Sequence, residues 1–136
     1  MKAPAELFSL KERVAVVIGG TGELCGRMAE GFASAGATVA LVGRDADKAR
    51  VRLDKISKDG GQAEFFPCDT TSKAGLQKLL ADVLAKFKRV DVLVNGAGVN
   101  SPTPFLDISE EEFDKIITVN LKGAMLACQV FGRHMV

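Results

Sequence analysis

VAVVIGGTGELCGRMAEGFASAGATVALVGR, residues Val14 to Arg44, reads as strand, glycine loop, helix and strand. Val14 to Ile18 is an unbroken run of small and β-branched apolar residues, the pattern of a strand buried on both faces of a parallel sheet. Gly19, Gly20 and Gly22 follow at once. Leu24, Met28 and Phe32 then recur every fourth residue, with Cys25, Ala29 and Gly36 beside them, so the pattern switches to one apolar face of a helix, which Gly36 stops. Thr38 to Val42 is a second β-branched run, making the unit a βαβ with a glycine-rich turn after its first strand. Such a turn suits a phosphate. Glycines let the backbone approach an anion, and the N–H groups and dipole of the helix N-terminus attract it.

The spacing departs from the G-x-G-x-x-G dinucleotide fingerprint, because Cys25 stands where the third glycine belongs and Gly26 comes one place late. Cysteine is small enough to let a helix approach a strand. The P-loop alternative is weaker, since no Gly-Lys-Ser/Thr follows. A glycine that merely turns the chain is the plainer reading of the loop.

Working outward, the 136 residues suffice for one domain with one core. With 47% apolar and 26% charged residues the composition is that of a globular protein, and a net charge of +1 supplies no field to attract nucleic acid or anionic lipid. The basic cluster Lys86, Lys88 and Arg89 reads as the solvated end of a helix. No stretch is apolar enough for a signal peptide or a membrane span, which points to the cytoplasm. Cys25, Cys68 and Cys128 are odd in number, far apart and set in apolar sequence; they read as buried thiols, and no metal site is expected.

Beyond Arg44 the elements go on alternating. Asp45 to Lys58 carries Ala49, Leu53 and Ile56 at helical spacing and stops at Asp59, Gly60 and Gly61. Ala63 to Cys68 reads as a third strand ending at Asp69. Leu76, Leu79, Leu80, Val83, Leu84 and Phe87 form a helical stripe, capped by Ser72 or Thr71. Val90 to Val94 is a fourth strand, running into the second glycine-rich turn, Asn95 to Gly98. Pro102 and Pro104 keep the next loop extended. Ser109 and Glu112 form a capping-box pattern that opens a long helix towards His134, with Phe113, Ile116, Ile117, Ala124, Cys128 and Phe131 on its apolar face. Asn120 lies on that face. A polar amide there must find hydrogen-bond partners or cost about 1–3 kcal/mol. His134 is given no role.

Alternating strands and helices predict a parallel sheet with helices on both faces, and ligands of such sheets bind outside the carboxyl ends of the strands. Gly19 to Gly22, Gly43 with Arg44, Asp69, and Asn95 to Gly98 all fall there.

Those residues resemble the short-chain dehydrogenases/reductases, from about Phe8 onward. FSLKERVAVVIGGTGELCG is similar to that family's lead-in to its cofactor loop, in the variant found in sugar-acid oxidoreductases of the D-mannonate type. NGAG at Asn95 to Gly98 resembles its Asn-Asn-Ala-Gly, CDTT around Asp69 its adenine-contacting segment, and VNLKG places Asn120 on its active-site asparagine. The resemblance implies a Rossmann-like, doubly wound α/β fold of about four strands in the order 3-2-1-4 with four helices, residues 1–136 forming one dinucleotide-binding domain. It implies cofactor contacts from Gly19, Gly20, Thr21, Gly22, Glu23 and Leu24, from Asp69 and Thr70, and from Asn95, Gly96, Ala97 and Gly98. Asp69 also reads as a turn residue or cap. NAD-preferring relatives carry an acidic residue at the end of the second strand; here Gly43 stands there, followed by Arg44, which favours NADP with NAD possible.

Three residues depart from the family loop: Ile18 for threonine, Glu23 for the second glycine and Cys25 for the third. Glu23 places a carboxylate near a pyrophosphate. The family's proton donor is a tyrosine in Tyr-x-x-x-Lys preceded by a serine, and this sequence has no tyrosine. The expectation is therefore the cofactor-binding half of a homo-oligomeric oxidoreductase acting on a small carbonyl or alcohol, inactive alone, with Asn120 holding a water on the proton path. The alternative is a non-catalytic nucleotide-binding or oligomerisation module.

Overall fold

The computed structural model describes residues 4–136. The absence of a signal peptide was read partly from residues 1–3, which lie outside the described residues. A short helix α1 (Pro4–Leu7) precedes β1 (Val14–Ile18), α2 (Glu23–Ser34), β2 (Thr38–Gly43), α3 (Ala46–Lys58), β3 (Gln62–Pro67), α4 (Lys73–Phe87) and β4 (Val92–Asn95). A 3₁₀ turn at Phe105–Asp107 leads into α5 (Glu110–Ile117), a π-helical turn at Thr118–Lys122 and α6 (Gly123–Met135). The strands form one parallel sheet in the order β3-β2-β1-β4. The third and fourth strands begin one residue earlier and two residues later, respectively, than the sequence pattern suggests.

The sheet is covered on both faces, as the continuous apolar runs require. Because strand side chains alternate, Val17, Val39 and Leu41 meet Cys25, Ala29 and Ala33 of α2 and Ala49 and Ile56 of α3 on one side. Val16, Ile18, Ala40 and Val42 meet Leu76, Leu79 and Val83 of α4 and Leu126, Ala127, Val130 and Phe131 of α6 on the other. Among the described residues no polar or charged side chain is buried.

The ends of the elements follow local chemistry. Ser72, not Thr71, caps α4 by accepting from the Gly75 N–H at 3.1 Å, and Asp45 caps α3 by accepting from the Lys48 N–H at 3.0 Å. Lys88 closes α4 in the left-handed conformation, at φ 69°, and its Nζ donates to the Ala85 carbonyl at 2.7 Å. The neighbouring basic residues are paired at the surface, Lys86 with Glu64 and Arg89 with Asp91. Asp91 also accepts from the Val14 N–H at 2.9 Å, tying the start of β1 to the start of β4. Hydrogen bonds from Arg89, Val14 and Arg13 outweigh its partial burial and hold its carboxyl well below the usual carboxylate range.

Three expectations are corrected. On α2 the small residues Cys25, Ala29 and Ala33 face the sheet and Gly26 is buried under Arg52 of α3, while Leu24 is 77% exposed and Met28 40%. A helix that packs closely over a sheet puts its smallest side chains inward, which moves the buried stripe one position round from the large residues. On the last helix the π turn inserts an extra residue, with the Gly123 N–H bonding back to the Thr118 carbonyl. The face buried beyond it is therefore Gly123, Leu126, Ala127, Val130 and Phe131, about one residue out of phase with Ala124 and Cys128, while Phe113 and Ile117 before it are exposed. Consequently only Cys25 is a buried thiol; Cys68 is half-buried and Cys128 exposed. Thirdly, the capping box is half made: Ser109 Oγ accepts from the Glu112 N–H at 3.2 Å, but the Glu112 carboxylate accepts from the Ser101 and Thr103 hydroxyls and braces the extended loop.

Candidate nucleotide site

The carboxyl ends of the four strands open onto a cleft of about 730 Å³, within the range of small-ligand sites. Its floor is the β1–α2 loop. Gly19 has φ +80°, and a Cβ there would lie 2.7 Å from the Gly96 carbonyl oxygen, so only glycine lets β1's loop and β4's loop pass each other. The Gly22 N–H donates to the Gly19 carbonyl at 2.9 Å, closing a tight turn. Gly22 is the N-cap of α2 and brings no side-chain cap, so the first N–H groups of that helix are left for a ligand.

Cys25 is placed where the family's third glycine would let the helix approach the sheet. Its Sγ lies 3.8 Å from the Gly96 carbonyl oxygen, and a Cβ on Gly96 would overlap it. The bulk lost from position 96 is what accommodates the bulk gained at position 25. Cys25 is buried against Gly96 and serves as a packing group, and burial pushes its thiol above its ordinary value.

The β2 side of the cleft carries its charges. Gly43 faces Thr21, and a Cβ at position 43 would stand 2.6 Å from the Thr21 Oγ1, so a side chain there would have to displace that of Thr21. Arg44, Asp45 and Lys48 line the cleft beyond it. Asp69, after β3, accepts from the Thr71 N–H at 2.9 Å and the Thr71 Oγ1 at 2.7 Å. Those bonds and the nearby charge of Arg44 hold its carboxyl below the usual range, so it is ionised and oriented.

Of the residues singled out in the sequence, Gly19, Thr21, Gly22, Arg44, Asp69, Thr70, Gly96, Ala97 and Gly98 line this one cleft. Gly20 does not, since its Cα faces Leu41 of β2. Glu23 and Leu24 turn outward, and the Asn95 amide donates to the Ala124 carbonyl at 2.8 Å, pinning α6 to the end of β4. Asn120 sits in the π turn. Its Oδ1 accepts from the Val99 N–H at 2.8 Å and its Nδ2 donates to the Val99 carbonyl at 2.9 Å, so both ends of the amide clamp the backbone just after Gly98. The partners that a polar group on an apolar stripe requires are thus the loop beside the cleft. Sequence reasoning passed over Lys48, whose position one helical turn after Arg44 was a readable signal. It named Thr71 only as a helix cap, whereas Thr71 orients Asp69, and it passed over Arg52, whose partners are fixed by the fold. Among the described residues no cluster of three or more His, Cys, Asp or Glu is placed to hold a metal ion.

Comparison with known proteins fits this geometry. The chain is 34% identical to D-threitol dehydrogenase of Mycolicibacterium smegmatis over 94% of its own length and 49% of that protein's. It superimposes with a TM-score of 0.94 and 30% identity on a short-chain type dehydrogenase/reductase from Mycobacterium marinum, covering 98% of this chain and 54% of that one. A metagenomic short-chain oxidoreductase solved in complex with NADP gives a TM-score of 0.86 at 36% identity, over 93% of this chain and 57% of that one. The chain therefore spans about half the length of the relatives it matches. With residues 13–136 matching the family described as short chain dehydrogenase, on top of the β3-β2-β1-β4 sheet and the glycine cleft, the chain belongs to the short-chain dehydrogenases.

Proposed function

We propose that residues 1–136 are the dinucleotide-binding unit of an NADP-dependent oxidoreductase that interconverts a small carbonyl compound and its alcohol in the cytoplasm. The observation that carries the cofactor choice is the placing of Arg44 and Lys48 in the cleft just past Gly43. Gly43 brings no carboxylate to the end of β2, where one would hold the ribose hydroxyls of NAD, and with Asp45 engaged in capping α3 the cations Arg44 and Lys48 support a 2′-phosphate there. The cleft fits the rest of the molecule: uncapped N–H groups at α2 for the pyrophosphate, Asp69 and Thr70 for the adenine, and Gly96 to Gly98 for the ribose. When bound, the cofactor supplies or accepts the hydride. Asn120 positions Val99 and with it the Gly98 turn, so the loop that would border a bound cofactor is set by the π turn of the last helix.

The likeness to a D-threitol dehydrogenase, together with the sugar-acid form of the glycine loop, supports a polyol or sugar-derived carbonyl as the substrate class. Free thiols at positions 25, 68 and 128 support a reducing compartment. Arg44→Ala should weaken NADPH by about 2 kcal/mol, the worth of hydrogen bonds to a charged group, and leave NADH nearly unchanged. Calorimetric titration with each cofactor checks this; equal weakening of both contradicts the 2′-phosphate role.

The whole protein is proposed to be a homo-oligomer. Phe113, Ile117, Leu121 and Met125 are exposed apolar side chains spread over α5, the π turn and the start of α6. Apolar helix faces left in solvent tend to be covered by a second chain. Light scattering at tens of micromolar should show dimers or larger species, and a clean monomer would count against it.

A further inference from the structure

We propose that Arg52, on α3, is a positioning residue that makes a glutamate in the phosphate loop compatible with a bound pyrophosphate. The proposal rests on the nucleotide-site reading above. Glu23 occupies the first position of α2, where a carboxylate stabilises the free helix but competes with an anionic ligand for the same N–H groups and dipole. Its side chain is 88% exposed and is drawn away from the cleft by Arg52, whose Nη2 lies 3.6 Å from the Glu23 Oε1.

Arg52 is held where it can do this. Its side chain is only 12% exposed. Its Nη1 donates to Glu30, on the same face of α2, and its Nη2 reaches the Gly22 carbonyl at 3.4 Å. The guanidinium lies over Gly26, where a Cβ would come within 2.5 Å of the Arg52 Nε, so a glycine in the second turn of α2 is what admits it. Glu30 is anchored in turn by Arg27 at 3.1 Å. Burial alone would raise the Glu30 carboxyl, but the hydrogen bonds from Arg52 and Arg27 outweigh it and keep it ionised. Thus Glu23, Gly26, Glu30 and Arg52 form one device, in which one guanidinium reaches both the Glu23 carboxylate and the Gly22 carbonyl of the phosphate loop.

The test is a double-mutant cycle read by titration with NADPH, with 2′-AMP as a ligand of the adenosine end that lacks the pyrophosphate. Arg52→Ala should weaken NADPH about tenfold, the effect of one unshielded charge several ångströms from the ligand near a protein surface, and leave 2′-AMP within about twofold. Arg52→Ala with Glu23→Gln should recover NADPH affinity to within about threefold of wild type, and Glu23→Gln alone should change it by less than about threefold, because the charge it removes is already neutralised. If Arg52→Ala fails to fold, Arg52→Met with Glu30→Gln removes the guanidinium without leaving a carboxylate unpaired, and the same cycle is run on it. Unchanged NADPH affinity in the Arg52 variants, loss without recovery on Glu23→Gln, or equal loss of 2′-AMP each overturns the proposal. A wild-type chain that binds no dinucleotide overturns the nucleotide-site reading itself, which a wild-type chain that binds alongside unaffected Arg52 variants does not.

Discussion

Gly96→Ala should destabilise the fold by about 3 kcal/mol, at the upper end of what overpacking costs, and Cys25→Ala in the same chain should recover about 1–2 kcal/mol of the loss. The new methyl would occupy the position of the Cys25 Sγ and also stand 3.3 Å from the Ile18 carbonyl oxygen. Cys25 is buried on the sheet face of α2 and has few rotamers to move to, since a helix disfavours one of the three staggered wells. Moving the backbone instead would separate the Gly96 carbonyl from Gly19, whose left-handed turn is built around it. Cys25→Ala alone removes one buried sulfur and should cost about 1 kcal/mol, so additivity would put the double variant near 4 kcal/mol below wild type. The contact argument puts it near 1–2 kcal/mol below instead, a coupling of at least about 2 kcal/mol. Urea unfolding of the four proteins measures this directly. Additive losses would mean that Cys25 and Gly96 do not share the space between α2 and β4.

That pair also shows what the sequence makes legible. The βαβ unit is readable because a strand buried on both faces must be apolar throughout, and β1 at Val14 to Ile18 is buried at every position. The cleft is readable because parallel topology gathers every strand's carboxyl end on one edge, so four separate loops could be assigned to one place before any contact was known. Position 25 was legible only as a departure. That Gly96 compensates for it depends on two loops 71 residues apart meeting at one carbonyl.

Other features were hidden for different reasons. The buried face of α2 is defined by smallness, and a pattern that ranks residues by hydrophobicity follows Leu24 and Met28 outward instead. The π turn at Thr118–Lys122 leaves no mark in residue type, yet it rotates everything after it, which is why Cys128 was assigned to the core and lies at the surface. Asn120 was conspicuous because it breaks an apolar stripe, but its partners at Val99 lie on another loop. Arg52 was invisible for the same reason: its contacts are 22 to 30 residues away in sequence and exist only once α3 packs on α2.

Purified residues 1–136 should bind NADPH weakly and sustain no turnover with ketones, sugar acids or polyols. The chain's own groups cover binding: the uncapped start of α2, Arg44 with Lys48, and the Gly96 to Gly98 turn all face the cleft. Proton transfer is different. The family's donor is a tyrosine, and these residues contain none. Asn120 has no proton to give near pH 7, and its amide is engaged with Val99 at both ends. A positioned general acid or base typically contributes about 10²- to 10⁴-fold in rate, so even a correctly seated carbonyl would be reduced below ordinary detection. Binding and turnover are measured separately. NADPH at about one hundred times its dissociation constant should stabilise the fold by about 2.7 kcal/mol, raising the melting temperature, while NADPH absorbance stays constant with every substrate tried. A thermal shift without oxidation is the expected result. Steady oxidation by 1–136, with any longer protein excluded by intact mass, would place the proton donor within these residues and leave the assignment of catalysis to a tyrosine outside them without support.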